Sequence, residues 1–334
     1  MSRRTYFVLC AYRALLATLL LPAALAALAA EPEGGALPWL EAIVRVHTEI
    51  PADARTAGYL GTERDGSGVV IDDAGLVVTI GYLITEAMGA EVTTGAGRVS
   101  RADVVGFDIA SGLGLLRAAE PLAVKPLPIG AATALTEKTP VVVAAFGGPD
   151  HVQPAVVVSR RTFAGYWEYL LEDAIFTTPP HPAWSGAALL GPDGKLVGIG
   201  SLVVSDAAAD IPGNMFVPID RLQPVMGDLL ALGRPSTTPR PWLGINLREL
   251  DDKLIVGRVA SDGPSDKAGV RHGDQVTAID GVPVHELADF YRALWGRGNA
   301  GVTVRLGVTR QGKEQEIEVK TIDRYRYLKL DTTY

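Results

Sequence analysis

Between Ile43 and about Leu232 the sequence is a succession of short apolar runs, each cut off by a turn signal. Gly68-Val69-Val70-Ile71, Leu76-Val77-Val78-Thr79-Ile80, Val141-Val142-Val143-Ala144-Ala145, Ala155-Val156-Val157-Val158 and Leu196-Val197-Gly198-Ile199 are the clearest. Asp73-Ala74-Gly75, Gly147-Gly148-Pro149-Asp150 and Gly191-Pro192-Asp193-Gly194 separate them. No run is long enough for a buried helix, and β-branched residues dominate, so each is expected as a strand. Many short strands with regular turns fold as a β-sandwich or a barrel. Only Pro218 to Leu232 has helical spacing, with Leu222, Val225, Met226, Leu229 and Leu230 on one stripe.

Gly233-Arg234-Pro235-Ser236-Thr237-Thr238-Pro239-Arg240-Pro241 is polar and stiffened by proline, as linkers are. A smaller mixed module follows. Strands are expected at Leu254 to Val259, within Gly273 to Gly281 ahead of a tight turn, and at Val302 to Val308 and Glu314 to Lys320, with a helix from about Glu286 to Trp295. The predicted organisation is 36–233 for the β domain, 234–241 for the linker, 242–323 for the α+β module and 324–334 for a tail. The whole chain is mainly β.

Residues 1–30 stand apart. Arg3, Arg4 and Arg13 are their only charges, an Ala/Leu run follows, and Ala27-Leu28-Ala29-Ala30 offers a small-residue cleavage pattern. That reads as a secretory signal peptide, so a periplasmic or otherwise exported protein is expected, with no membrane span once it is removed. Its loss takes the three arginines with it and moves the formal charge from -7 to -10. An acidic body repels phosphate backbones, which argues against nucleic acid as a partner. Cys10, the single cysteine, lies inside this segment, leaving the rest without a disulfide or a thiol nucleophile. His272 and His285 have no partner at metal-ligand spacing, and no metal or cofactor is expected.

In the second module, Gly263-Pro264-Ser265-Asp266-Lys267-Ala268-Gly269-Val270-Arg271-His272-Gly273-Asp274 and Ile279-Asp280-Gly281 resemble the signature of a bacterial periplasmic PDZ domain. The resemblance implies a peptide groove. A carboxylate-binding loop needs successive backbone N–H groups facing one concavity, with a glycine to let the chain turn. Leu243-Gly244-Ile245 stands where that family has the loop. The strand that follows, Asn246-Leu247, offers an edge to an added peptide. Leu287, Tyr291 and Leu294 share one helical face and are candidates for the groove wall, or simply for the core.

The first domain resembles the double β-barrel of HtrA/Deg-type, trypsin-like serine proteases. Three stretches carry the resemblance: Gly66 to Thr79, Val104-Val105-Gly106-Phe107-Asp108, and Trp184-Ser185-Gly186-Ala187-Ala188-Leu189 with the strand after it. The resemblance places Ser185 at the nucleophile position. Tyr82 stands at the position of the catalytic histidine, in Thr79-Ile80-Gly81-Tyr82-Leu83-Ile84, and Gly112 at that of the orienting aspartate. Ala183 replaces the glycine that contributes an oxyanion-hole N–H. A phenol with an ordinary pKa near 10 is a poor base at neutral pH, and glycine has nothing with which to orient an imidazole. His181, four residues before Ser185, is expected to be a loop histidine rather than a substitute base.

Two functions follow as expectations. One is a pseudoprotease that binds protein C-termini or extended segments through the PDZ domain, as adaptor, chaperone-like holder or regulatory subunit of an active HtrA relative. The alternative is an active serine endopeptidase with a rearranged site built on Ser185. HtrA relatives are commonly homo-oligomers assembled through an N-terminal segment, for which Pro38-Trp39-Leu40 is the candidate here.

Overall fold

The computed structural model describes residues 37–328 and Leu330. The signal-peptide reading of residues 1–30, and Cys10 with it, lies outside them.

The expected strands close into two six-stranded barrels. The first comprises β1 (Ile43–Glu49), β2 (Glu63–Val70), β3 (Leu76–Ile80), β4 (Gly89–Thr93), β5 (Val99–Phe107) and β6 (Leu113–Ala118), ordered β1-β2-β3-β6-β5-β4 with β4 returning to β1. The second comprises β7 (Pro140–Ala144), β8 (Val152–Gly165), β9 (Tyr169–Thr178), β10 (Ala188–Leu190), β11 (Leu196–Ala208) and β12 (Ile211–Pro218), ordered β10-β11-β12-β9-β8-β7 with β7 returning to β10. β3 is buried at every residue. A strand covered on both faces is almost wholly apolar, as Leu-Val-Val-Thr-Ile is, and its one hydroxyl, on Thr79, donates to the Ser67 carbonyl at 2.7 Å. A helix, Gln223–Leu232, packs after the second barrel. Leu229 is buried, but Leu230, expected on the same stripe, is 46% exposed, so the buried face is narrower than the sequence pattern.

Two strands outrun their apolar runs. β8 has 14 residues and β11 has 13. The β8–β9 hairpin continues through the polar Ser159-Arg160-Arg161-Thr162 and leaves the barrel toward the second domain.

That domain is a six-stranded sheet. β13 (Ile245–Leu250), β14 (Lys253–Val259), β15 (Gln275–Ile279), β17 (Thr303–Arg310) and β18 (Lys313–Lys320) lie in the order β13-β14-β15-β17-β18, and β16 (Val282–Pro283) pairs with β15. The helix Leu287–Trp295 covers it, burying Leu287, Phe290, Tyr291 and Leu294. Asp274 of the Gly-Asp pair is structural: its buried carboxylate accepts from the Arg310 guanidinium at 2.6 and 2.7 Å and from the Arg271 N–H at 2.8 Å.

The residues expected as a tail are docked instead. Arg324–Tyr327 forms a helical turn, the Tyr325 hydroxyl donates to the Phe107 carbonyl at 2.9 Å, and the Tyr327 ring lies 4.6 Å from that of Trp242. Trp242 and Ile322 exchange backbone hydrogen bonds, so both ends of the second domain meet beside the first barrel. Trp39 and Leu40, in the turn Pro38–Ala42, pack in part against the barrel core. Among the described residues, no helix is long and apolar enough to cross a membrane.

Candidate functional sites

Ser185 sits where the two barrels meet. Its carbonyl accepts from the Ser67 N–H of β2 at 2.8 Å, while the neighbouring Gly186 N–H donates to the Gly200 carbonyl of β11 at 2.9 Å. The loop is thereby held from both sides.

Tyr82 reaches it from the helical turn Gly81–Ile84 that follows β3. The Arg64 guanidinium fixes this turn by donating to the Tyr82 and Thr85 carbonyls. The Tyr82 hydroxyl donates to Ser185 Oγ at 2.9 Å and to the Ser201 carbonyl at 3.0 Å. One phenol proton serves both acceptors, so tyrosine meets the serine as a donor, where a general base would accept. Burial pushes the phenol up to about 12, against the opposing pull of its bond to Ser185. At neutral pH the phenol is therefore protonated.

Gly112 closes a loop that Asp108 organises. The Asp108 carboxylate accepts from the Ala110 and Ser111 N–H groups at 3.0 and 2.9 Å, so it is committed to its own turn. Gly112 has a φ of +81°, which a side chain tolerates poorly. A Cβ there would stand 3.4 Å from the Tyr169 hydroxyl. That hydroxyl donates to the Ser111 carbonyl at 2.6 Å, and burial raises its pKa well above the usual phenol range. A neutral ring from β9 therefore occupies the space beside Gly112, with the Trp167 ring stacked on it at 5.6 Å.

Ala183 is engaged elsewhere. Its N–H donates to His181 Nδ1 at 3.1 Å. His181 is buried, its own backbone N–H donates to Asn214 Oδ1 at 2.6 Å, and burial lowers its imidazole pKa. The ring serves as an acceptor for the loop that precedes the serine. Among the described residues, the side chain hydrogen-bonded to Ser185 Oγ is Tyr82.

The second site is filled. The N–H groups of Leu243, Gly244 and Ile245 do converge, and they converge on the carboxylate of Glu168: 3.0 Å to Oε2, then 2.6 and 2.9 Å to Oε1. Gly244 has a φ of +77°, the turn that aims the three donors together. Glu168 belongs to the β8–β9 turn of the second barrel. In the same turn the Tyr166 carbonyl accepts from the Leu247 N–H of β13 at 3.0 Å. The Tyr291 hydroxyl donates to the Gly165 carbonyl at 2.6 Å and accepts from the Glu168 N–H at 3.1 Å. Leu287 and Leu294 lie in the core of the second domain, which Leu170 of β9 joins. Asn246 pairs with Arg258, ahead of a register shift at Leu247. Burial pushes the Glu168 carboxyl up to about 7, opposed by the three amides and by Arg324.

The sequence reading missed Glu168 and its turn. The available signal was Gly165-Tyr166-Trp167-Glu168-Tyr169, three aromatics crowded into a hairpin tip. A cleft of about 770 Å³ joins the two sites, lined by Tyr82, Trp184, Trp167, Tyr169, Gly244 and Arg258.

Two domain families match this architecture: the trypsin-like peptidase domain over residues 66–199 and the PDZ domain over residues 241–321. The chain thus carries a trypsin-like peptidase domain followed by one PDZ domain, the arrangement of its HtrA/DegP-type relatives. A Pseudomonas fulva protein described as a probable periplasmic serine endoprotease, DegP-like, is 27% identical over 293 residues. The alignment covers 81% of this chain but only 59% of the relative, so the chain spans little more than half its length. The HtrA-type protease AlgW, solved with a decapeptide, superposes with a TM-score of 0.52 at 19% identity, over 88% of this chain and 97% of that one. The serine endoprotease of Yersinia pestis gives 0.51 at 21%, over 86% and 95%. At these identities the superpositions speak to the fold.

Proposed function

We propose that this HtrA-type chain is an exported pseudoprotease that binds protein C-termini or extended segments through its PDZ domain, in an adaptor, chaperone-like or regulatory role. In this reading residues 1–30 are a signal peptide, 36–233 a rigid scaffold and 242–323 the binding module. The observation that carries it is the 2.9 Å hydrogen bond from the Tyr82 phenol to Ser185 Oγ. A donor held protonated up to about pH 12 cannot take the serine proton. The surroundings support the same reading. Gly112 supplies no carboxylate, Tyr169 fills the space beside it, and the Ala183 N–H is turned to His181 rather than to a developing oxyanion. Losing the base alone costs triad enzymes about 10⁶ in turnover.

The test is casein cleavage at neutral pH by the purified chain lacking residues 1–30, beside its Ser185→Ala variant. Indistinguishable rates are expected. A rate that depends on Ser185 overturns the proposal in favour of a rearranged endopeptidase.

A further inference from the structure

We propose that the β8–β9 turn is an internal ligand of the PDZ groove, with the Glu168 side chain in the place of a peptide's terminal carboxylate, so that a partner binds only by displacing it. This rests on the reading of the second domain as peptide-binding and adds its regulation.

Four observations carry the proposal. First, both carboxylate oxygens are held by three successive backbone amides, the arrangement by which a backbone concavity binds a free carboxylate. Second, the chain leading to Glu168 meets the outer edge of β13: the Leu247 N–H bonds to the Tyr166 carbonyl, as it would to an added strand. Third, Tyr291 clamps the turn at both ends, through Gly165 and Glu168. Fourth, the turn is strained for this purpose. Gly165 pairs with Tyr169, so the loop has three residues, and its last position requires the left-handed conformation that glycine usually fills. Glu168 stands there with a φ of +57°. A non-glycine residue persists in that conformation when its surroundings compensate for it. Here the compensation is the amide nest.

A tethered ligand competes at an effective concentration that a dilute peptide does not match. The apparent affinity for an outside peptide is reduced by the fraction of molecules with an open groove. Displacement also has a second consequence. Trp167 and Tyr169 flank Glu168, and they form the stack beside Gly112 and line the cleft leading to Tyr82. An incoming C-terminus therefore reshapes the space in front of Ser185.

The experiment compares the native chain with Glu168→Gly. Glycine removes the carboxylate and at the same time relieves the left-handed strain, so the hairpin stays intact. Glu168→Gln is the second variant, leaving one acceptor oxygen for the three donors. A library of heptapeptides with free carboxyl ends is screened against all three forms, and the tightest binder is remade with a free and an amidated terminus. Anisotropy titrations are paired with hydrogen exchange at the Leu243, Gly244 and Ile245 amides. Expected are binding of the free-carboxyl peptide at least tenfold tighter to Glu168→Gly than to the native chain, an intermediate Glu168→Gln, and little binding of the amidated peptide. The three amides should exchange faster in Glu168→Gly and slow again with peptide. Equal affinities across the three forms overturn the internal ligand while leaving the peptide-binding reading intact. Failure of every form to bind any peptide overturns that reading, and this proposal with it.

Discussion

The two sites of this chain are both occupied by its own side chains, but in different ways. Beside Ser185 a phenol donates where a base would accept, and Gly112 faces a tyrosine ring; in the proposed reading these stand in place of the groups that perform acyl transfer. In the PDZ domain three successive amides converge on one carboxylate, and that carboxylate is the chain's own Glu168. On the proposed reading the first site is altered in its chemistry and the second is merely filled. Restoring the first would then require new residues in new surroundings, whereas restoring the second would require only that a turn move aside.

The sharpest way to break this contrast is to treat the first site as if it too were merely masked. The double variant Tyr82→His, Gly112→Asp writes base and orienter back in. The account predicts no casein cleavage, because the Ala183 N–H stays on His181 and Tyr169 stays beside residue 112. It predicts a loss of stability of about 2–4 kcal/mol in urea denaturation, because a side chain is forced onto a positive φ next to the Asp108 loop. Recovered cleavage would erase the distinction between the sites.

Tyr291→Phe probes the filled site with a smaller expected effect. It keeps the ring in the core and removes the hydroxyl that bonds Gly165 and Glu168. Leaving those backbone groups without their partner costs about 1–3 kcal/mol, readable as a lower denaturation midpoint. A midpoint equal to that of the native chain would show that the clamp contributes nothing.

The pH dependence comes next. Burial raises the Glu168 carboxyl from 4.5 to about 7, while the groups bearing on it are the three amides, the Tyr291 hydroxyl and Arg324. A raised pKa means that the docked form binds the proton more tightly than the released form. The docking is therefore at full strength below about 4.5 and weakens as pH rises through 7. Affinity for a free-carboxyl peptide should increase on the order of tenfold between pH 5.5 and 8 in the native chain and stay flat in Glu168→Gly. A native profile as flat as the variant's removes Glu168 titration from the account.

The smallest effect is at Tyr82. Tyr82→Phe removes the bonds to Ser185 and to the Ser201 carbonyl and should cost about 1 kcal/mol, with casein cleavage equal to that of the native chain. Cleavage lost on this change would make the phenol part of a working site.

What could be read from the sequence follows the range of the interactions. Leu243-Gly244-Ile245 was placed by the family resemblance, while β3 was visible as an unbroken buried run and the PDZ helix by its helical spacing. The full reach of β8 and β9 was not, since the polar Ser159-Arg160-Arg161-Thr162 looks like the end of a strand. The substitution of Tyr82 could be seen by position, but its direction as a hydrogen-bond donor depends on Ser201, far along the chain. Glu168 meets residues 75 to 77 positions away, and no local pattern announces that contact. The engagement of Ala183 with His181 is a matter of ring orientation, which spacing alone does not give.

The contrast between an altered site and a filled one is tested most directly by fluorophosphonate labelling of Glu168→Gly, read by intact mass beside Glu168→Gly carrying Ser185→Ala. Opening the groove frees Trp167 and Tyr169 and gives Ser185 its best opportunity to react. The account predicts a peptide-competent groove with no adduct on the serine. A Ser185-dependent adduct approaching one per chain would contradict it.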